Sequence, residues 1–178
     1  DKTELNSYLI EITGDILAYK DTDGKPLVTK ILDTAGQKGT GKWTAISSLE
    51  QNVALTMIAE AVYARIISSK KDERIKASEA YPKAIETYKG NQKEFIEDIR
   101  KALYAAKIIS YAQGYDLMKV AAESYDWHLN YSGIAKIWRG GCIIRSAFLN
   151  NIKDAYDKNP ELTNLIMDDF FKKQINDL

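Results

Sequence analysis

The residues best suited to chemistry lie in the stretch "GQKGTGKWT", Gly36 to Thr44, where three glycines, two lysines and two threonines fall within nine residues. Glycines let a chain turn so that backbone N–H groups converge, and a lysine adds positive charge; loops that hold phosphate are built this way. The pattern predicts turns at Gly36, Gly39 and Gly41, with Lys38, Thr40, Lys42 and Thr44 as donors to an anion. A solvated surface loop carrying two lysines would read the same way, so local pattern leaves both readings open.

Two familiar phosphate cradles fail on side-chain grounds. Gly36, Gly41 and Lys42 satisfy most of the Walker pattern G-x-x-x-x-G-K-[ST], but the next residue is Trp43. An indole cannot supply the hydroxyl that ligates Mg²⁺ there. Gly39 and Gly41 begin the dinucleotide pattern G-x-G-x-x-G, but Thr44 stands at its third glycine and no βαβ unit surrounds it. A generic anion site remains. Arg65 is a second candidate, at the margin of an apolar helical stripe. From there its guanidinium could bind phosphate bidentately, or its stem could snorkel along the helix edge.

Other chemistry is sparse. His128 and Cys142 are the only residues of their types, which disfavours a zinc site or a Cys–His nucleophile. His128 reads as exposed or capping, Cys142 as a small buried hydrophobe, and Glu60 as solvated. The charge run Lys70 to Arg74 reads as a solvated helix start.

The elements that must position these residues are helical. Leu5, Tyr8, Leu9, Ile12 and Ile16 follow one helical face, predicting a helix from near Thr3 to before the Asp23-Gly24 turn. Pro26 to Asp33 fits either a short strand or a single helical turn. Leu55 to Ile67 predicts a second helix, and Lys71 to Ala80 a shorter one broken by Pro82. From Asn91 to about Tyr125 there is no proline, and Asn91 with Glu94 resembles a capping box. This is read as the long central helix of a multi-helix, all-α bundle. Its early stripe (Phe95, Ile99, Leu103, Ala106) is one-sided; beyond Ile108 apolar residues point nearly all round, as in a buried helix. Gly114 implies close helix packing at mid-length. Further helices are predicted near Ser132–Trp138, Ser146–Lys158 and Thr163–Asn176.

A chain of 178 residues suits one domain with a sizeable core. Lys+Arg and Asp+Glu are both 25, so no basic excess favours nucleic acid or an anionic membrane. No apolar run approaches the ~18 residues of a membrane span, and no signal peptide is visible. One cysteine excludes an intrachain disulfide and fits a reducing, cytoplasmic compartment. The chain starts at Asp1 rather than methionine, as a piece of a longer protein would.

Longer stretches add a resemblance. "ILDTAGQKGTGKWT" (from Ile31) resembles the signature loop of the decarboxylating 6-phosphogluconate dehydrogenase family. "SYLIEIT" (from Ser7), "AVYARIISSKKDER" (from Ala61), "EDIRKALYAAKIISYAQGYDLM" (from Glu97) and "NYSGIAKIWRGGCIIRSAFLNNIKDAY" (from Asn130) are similar to that family in the same order and spacing. The similarity covers essentially the whole chain.

The resemblance implies an enzyme of the oxidative pentose phosphate pathway and gluconate utilisation. Such an enzyme oxidises 6-phosphogluconate with NADP, releases carbon dioxide and yields ribulose 5-phosphate. It works as a cytoplasmic homodimer, without a metal. Residues 1–178 then correspond to part of the family's C-terminal helical domain, with the Rossmann domain that mainly binds NADP absent. Lys38 and Thr40 match family residues that contact substrate, chiefly its phosphate, and Arg65 matches an arginine on the same phosphate. The family's catalytic lysine and glutamate lie before Asp1, and the partner-donated arginine and histidine beyond Leu178. No catalytic residue is therefore assigned here, and the chain alone is expected to be inactive. Two alternatives stand beside this: a helical dimerisation or scaffold domain with a vestigial anion site, and a related β-hydroxyacid dehydrogenase acting on another phosphorylated substrate.

Overall fold

Ser7 starts the first helix by accepting a hydrogen bond from the Ile10 N–H at 3.3 Å, which satisfies one of the orphan donors of a helix N-terminus. The computed structural model describes residues 3–81 and 86–178. Its helices are α1 (Tyr8–Ala18), α2 (Thr40–Glu50), α3 (Thr56–Ser69), α4 (Lys71–Ala80), α5 (Gln92–Tyr125), α6 (Tyr131–Ile137), α7 (Phe148–Lys158) and α8 (Asp169–Asn176), with 3₁₀ turns at Leu27–Lys30 and Leu165–Met167. No β-strand occurs among the described residues; only isolated bridges join Ser7 to Ser146 and Lys20 to Pro26. The expected all-α architecture is therefore observed. Among the described residues no helix is long and apolar enough to cross a membrane.

α5 is the axis. Its 34 residues extend about 50 Å at 1.5 Å per residue. Asn91 caps it, accepting from the Lys93 and Glu94 N–H groups. Glu94 closes a variant capping box by accepting from the Asn91 side-chain amide at 2.9 Å. One side of α5 packs Tyr104, Ile108, Ala112 and Tyr115 against Ala135 of α6, Phe148, Leu149, Ile152 and Tyr156 of α7, and Phe171 of α8. Further along, Leu117 and Val120 meet Val53, Leu55 and Ile58 at the α2–α3 end. The main core is aromatic: Tyr115 stacks on Tyr156 at 5.1 Å, and Phe148 meets Phe171 edge-on at 5.2 Å. Such pairs add to their area burial.

Several expectations change. α1 begins at Tyr8 rather than near Thr3, because Ser7 is extended and pairs with Ser146. It ends at Ala18, and none of its residues is buried, so its apolar stripe finds no full partner among the described residues. Pro26–Asp33 resolves to a 3₁₀ turn. Thr163–Asn176 is split: Asn164 caps the 3₁₀ turn and Asp168 caps α8, so two caps interrupt the predicted helix. The early stripe of α5 stays exposed at Phe95, Ile99 and Leu103. Gly114 makes no close helix contact; a Cβ there would meet nothing within 4 Å, because it borders a cleft. Cys142 is half-buried rather than buried. His128 is exposed, as expected. The predicted break at Pro82 lies outside the described residues.

Candidate anion site

The glycine stretch is half loop and half helix. Gly39 adopts φ 106° and forms the N-cap of α2, a left-handed conformation that glycine tolerates without steric cost. The first intrahelical bond runs from the Trp43 N–H to the Gly39 carbonyl at 2.9 Å. The N–H groups of Thr40, Gly41 and Lys42 precede it, and no side chain caps them. Free N–H groups at a helix start, together with the positive end of the helix dipole, favour an anion. Sequence pattern missed α2 because a glycine, not Ser, Thr, Asp or Asn, opens it, and because Trp43, Ile46 and Leu49 are exposed and form no buried stripe.

Arg65 of α3 reaches the same loop. Its guanidinium Nη2 donates to the Gly36 carbonyl, which brings the arginine onto the loop that precedes α2. Guanidinium has further donors in the same plane, so this contact leaves it able to grip an anion. Arg65, Lys38 and Thr40 are exposed, and so is Lys42. Neither Lys38 nor Lys42 makes a hydrogen bond or ion pair among the described residues. Thr44 is different: it is half-buried and donates to the Thr40 carbonyl at 2.8 Å. Its hydroxyl proton is committed within α2, so Thr44 leaves the candidate donor set.

The entry to the loop is anchored by residues that sequence reading dismissed. The Arg74 guanidinium donates to Asp33 Oδ2 at 3.0 Å, to the Asp33 carbonyl at 2.6 Å and to the Ser68 carbonyl at 3.1 Å. Lys71 adds an ion pair to Asp33 at 3.5 Å. Ser68 accepts from the Ala35 N–H at 3.1 Å, and its carbonyl accepts from the Thr34 hydroxyl at 3.1 Å. Lys71 and Arg74 of the run Lys70–Arg74 thus turn back onto the loop, while Lys70, Asp72 and Glu73 face water. Nothing in periodicity could reveal this, since Arg74 and Asp33 are 41 residues apart. The Arg74 hydrogen bond, then the Arg74 and Lys71 charges, holds the Asp33 carboxyl below its usual range.

An apolar cleft of about 740 Å³ lies between α5, the start of α1 and the segment before α7, bordered by Leu103, Gly114, Met118 and Ile143, and reaches Thr44 of α2 and Ile58 of α3. Within it Lys107 donates to Ser146 Oγ at 2.6 Å and lies 5.5 Å from the Phe148 ring centroid. Burial lowers the Lys107 pKa. The cleft walls are mainly hydrocarbon, so a phosphorylated ligand fits the exposed cationic loop better. For a dinucleotide the described residues offer no strand–loop–helix unit, and the glycine loop does not fit a dinucleotide cradle.

Comparison with known proteins agrees along the whole length. The family described as 6-phosphogluconate dehydrogenase, C-terminal domain, matches residues 1–178. The human protein named 6-phosphogluconate dehydrogenase, decarboxylating, is 63% identical over 177 residues, covering 98% of this chain and 36% of the relative. The protein of that name from Cunninghamella elegans is 62% identical over 173 residues, covering 97% of this chain and 36% of the relative. The solved Plasmodium falciparum 6-phosphogluconate dehydrogenase, described as apo and in complex with NADP+ and with 6-phosphogluconate, superposes with a TM-score of 0.93 at 44% identity. That match covers 99% of this chain and 38% of the other. The chain thus spans little more than a third of these relatives, and it belongs to the 6-phosphogluconate dehydrogenase family, within its C-terminal helical domain.

Proposed function

We propose that residues 1–178 form the substrate-phosphate-binding part of the helical domain in a decarboxylating 6-phosphogluconate dehydrogenase. Arg65, Lys38 and Thr40 hold the phosphate of the sugar acid, together with the first N–H groups of α2. The observation that carries this reading is the placement of Arg65 against Gly36, beside the uncapped start of α2. Two elements widely separated in sequence there present positive charge and free N–H groups to one exposed place. NADP, held by parts of the protein outside this chain's fold, would supply the hydride acceptor. Loss of carbon dioxide then yields ribulose 5-phosphate.

The same reading includes cytoplasmic action as a homodimer. Exposed apolar residues on α1 (Leu9, Ile16, Leu17) and early α5 (Phe95, Ile96, Ile99) support assembly with further protein surface. The test is NADP reduction by the full-length protein carrying this domain, with 6-phosphogluconate and with unphosphorylated gluconate. Turnover confined to the phosphorylated acid is expected. Equal use of both would remove the phosphate role, and no turnover by folded protein would overturn the reading.

A further inference from the structure

α2 and α3 approach closely at Gly41, in the first turn of α2. A Cβ placed on Gly41 would lie 2.8 Å from Val62 Cγ2, well inside the 3.5–4.0 Å of ordinary carbon–carbon contact. Val62 cannot easily yield. It is buried, and its β-branched side chain is held to one dominant rotamer in a helix. Relief would require α2 and α3 to part by about 1 Å, the shortfall from ordinary contact. Gly41 lies in the first turn of α2, among the free N–H groups. Val62 lies one turn before Arg65 on α3, and residues three apart are neighbours on a helix surface. The same approach therefore sets how far Arg65 stands from the Gly36 carbonyl and from the start of α2.

We propose that Gly41 is a positioning residue of the phosphate site: its missing side chain lets α3 come close enough for Arg65 and the α2 N-terminus to grip one anion together. This rests on the phosphate-binding reading above. It also gives Gly41 a role distinct from that of Gly39, whose left-handed φ is a backbone requirement. Gly41 is needed for space. Alanine is a better helix former than glycine, so a defect in Gly41→Ala cannot be laid to a weaker α2.

The test is steady-state kinetics of the full-length enzyme carrying Gly41→Ala, Arg65→Ala, and the double change Gly41→Ala with Val62→Ala. Expected for Gly41→Ala is a rise of about 5-fold or more in KM for 6-phosphogluconate, the order by which a loosened charge-assisted hydrogen bond weakens binding, with kcat and the KM for NADP within about twofold. Val62→Ala removes the methyl that the new Cβ meets, so the double variant should return KM to within about twofold of the parent. An unchanged KM in Gly41→Ala overturns the inference, as does a raised KM that Val62→Ala fails to relieve. If Gly41→Ala does not fold, the double variant decides: folding with near-parental KM supports the inference, while a raised KM or failure to fold overturns it. Arg65→Ala separates the two levels. An unchanged KM there removes the phosphate site itself; a raised KM there with normal Gly41→Ala removes only the positioning role.

Discussion

Arg74 grips both ends of Asp33, donating to its carboxylate at 3.0 Å and to its backbone carbonyl at 2.6 Å, and so fixes the chain just before the glycine loop. Arg74 and Lys71 lower the Asp33 pKa. A carboxyl whose folded pKa lies below its unfolded value contributes stability above the unfolded pKa and loses it as pH falls through the folded one. Asp33→Asn should therefore lower the thermal midpoint near neutral pH, and the two proteins should converge in acid. Melting curves across pH check this; a gap that stays constant would show that the ionised pair contributes nothing.

Arg65 is expected to matter for substrate affinity more than for turnover. A hydrogen bond to a charged group is worth about 1.5–3 kcal/mol, so Arg65→Ala should raise the KM for 6-phosphogluconate roughly 10- to 100-fold. Arg65→Lys should recover only part, since an ammonium cannot repeat the bidentate geometry. Thr40→Ala, which removes one hydrogen bond to the phosphate but no charge, should raise KM by less than Arg65→Ala does. Unchanged KM values for Arg65→Ala would place the phosphate elsewhere.

Lys38 is exposed and free of partners among the described residues, so its contribution should be screened by salt. Lys38→Met is expected to weaken 6-phosphogluconate binding at low ionic strength and to flatten the dependence of KM on salt. Parallel salt profiles for parent and variant would argue against a charge contact with the substrate.

Stability should follow the aromatic core rather than the loop. Phe171 is fully buried against Phe148, so Phe171→Ala should cost about 3–5 kcal/mol through lost burial and a cavity. Ile137→Ala, at an exposed position, should change stability by less than about 0.5 kcal/mol. Denaturant unfolding of the helical domain measures both. Similar losses at the two positions would mean that the core is misassigned.

The amino-acid sequence by itself determined the helical class, the long axis from Asn91 to Tyr125 and the short helix Lys71–Ala80, because helix periodicity, caps and the absence of proline are local properties. It also marked Lys38, Thr40 and Arg65, through residue type and a long resemblance. Only tertiary structure decided what surrounds them. The loop becomes the start of α2 because Gly39 turns left-handed without any sequence cap, and Thr44 drops out because its hydroxyl bonds within that helix. Arg74 reaches Asp33, and Gly41 faces Val62, across separations that no short-range pattern encodes. Gly114 shows the converse: a glycine in a buried-looking helix implied tight packing, yet it borders a cleft. Helix formation is governed by neighbours three and four residues away, whereas the proposed anion site depends on how two helices approach. That approach is set by side-chain volume at a few contacts, which becomes visible only once the chain is folded.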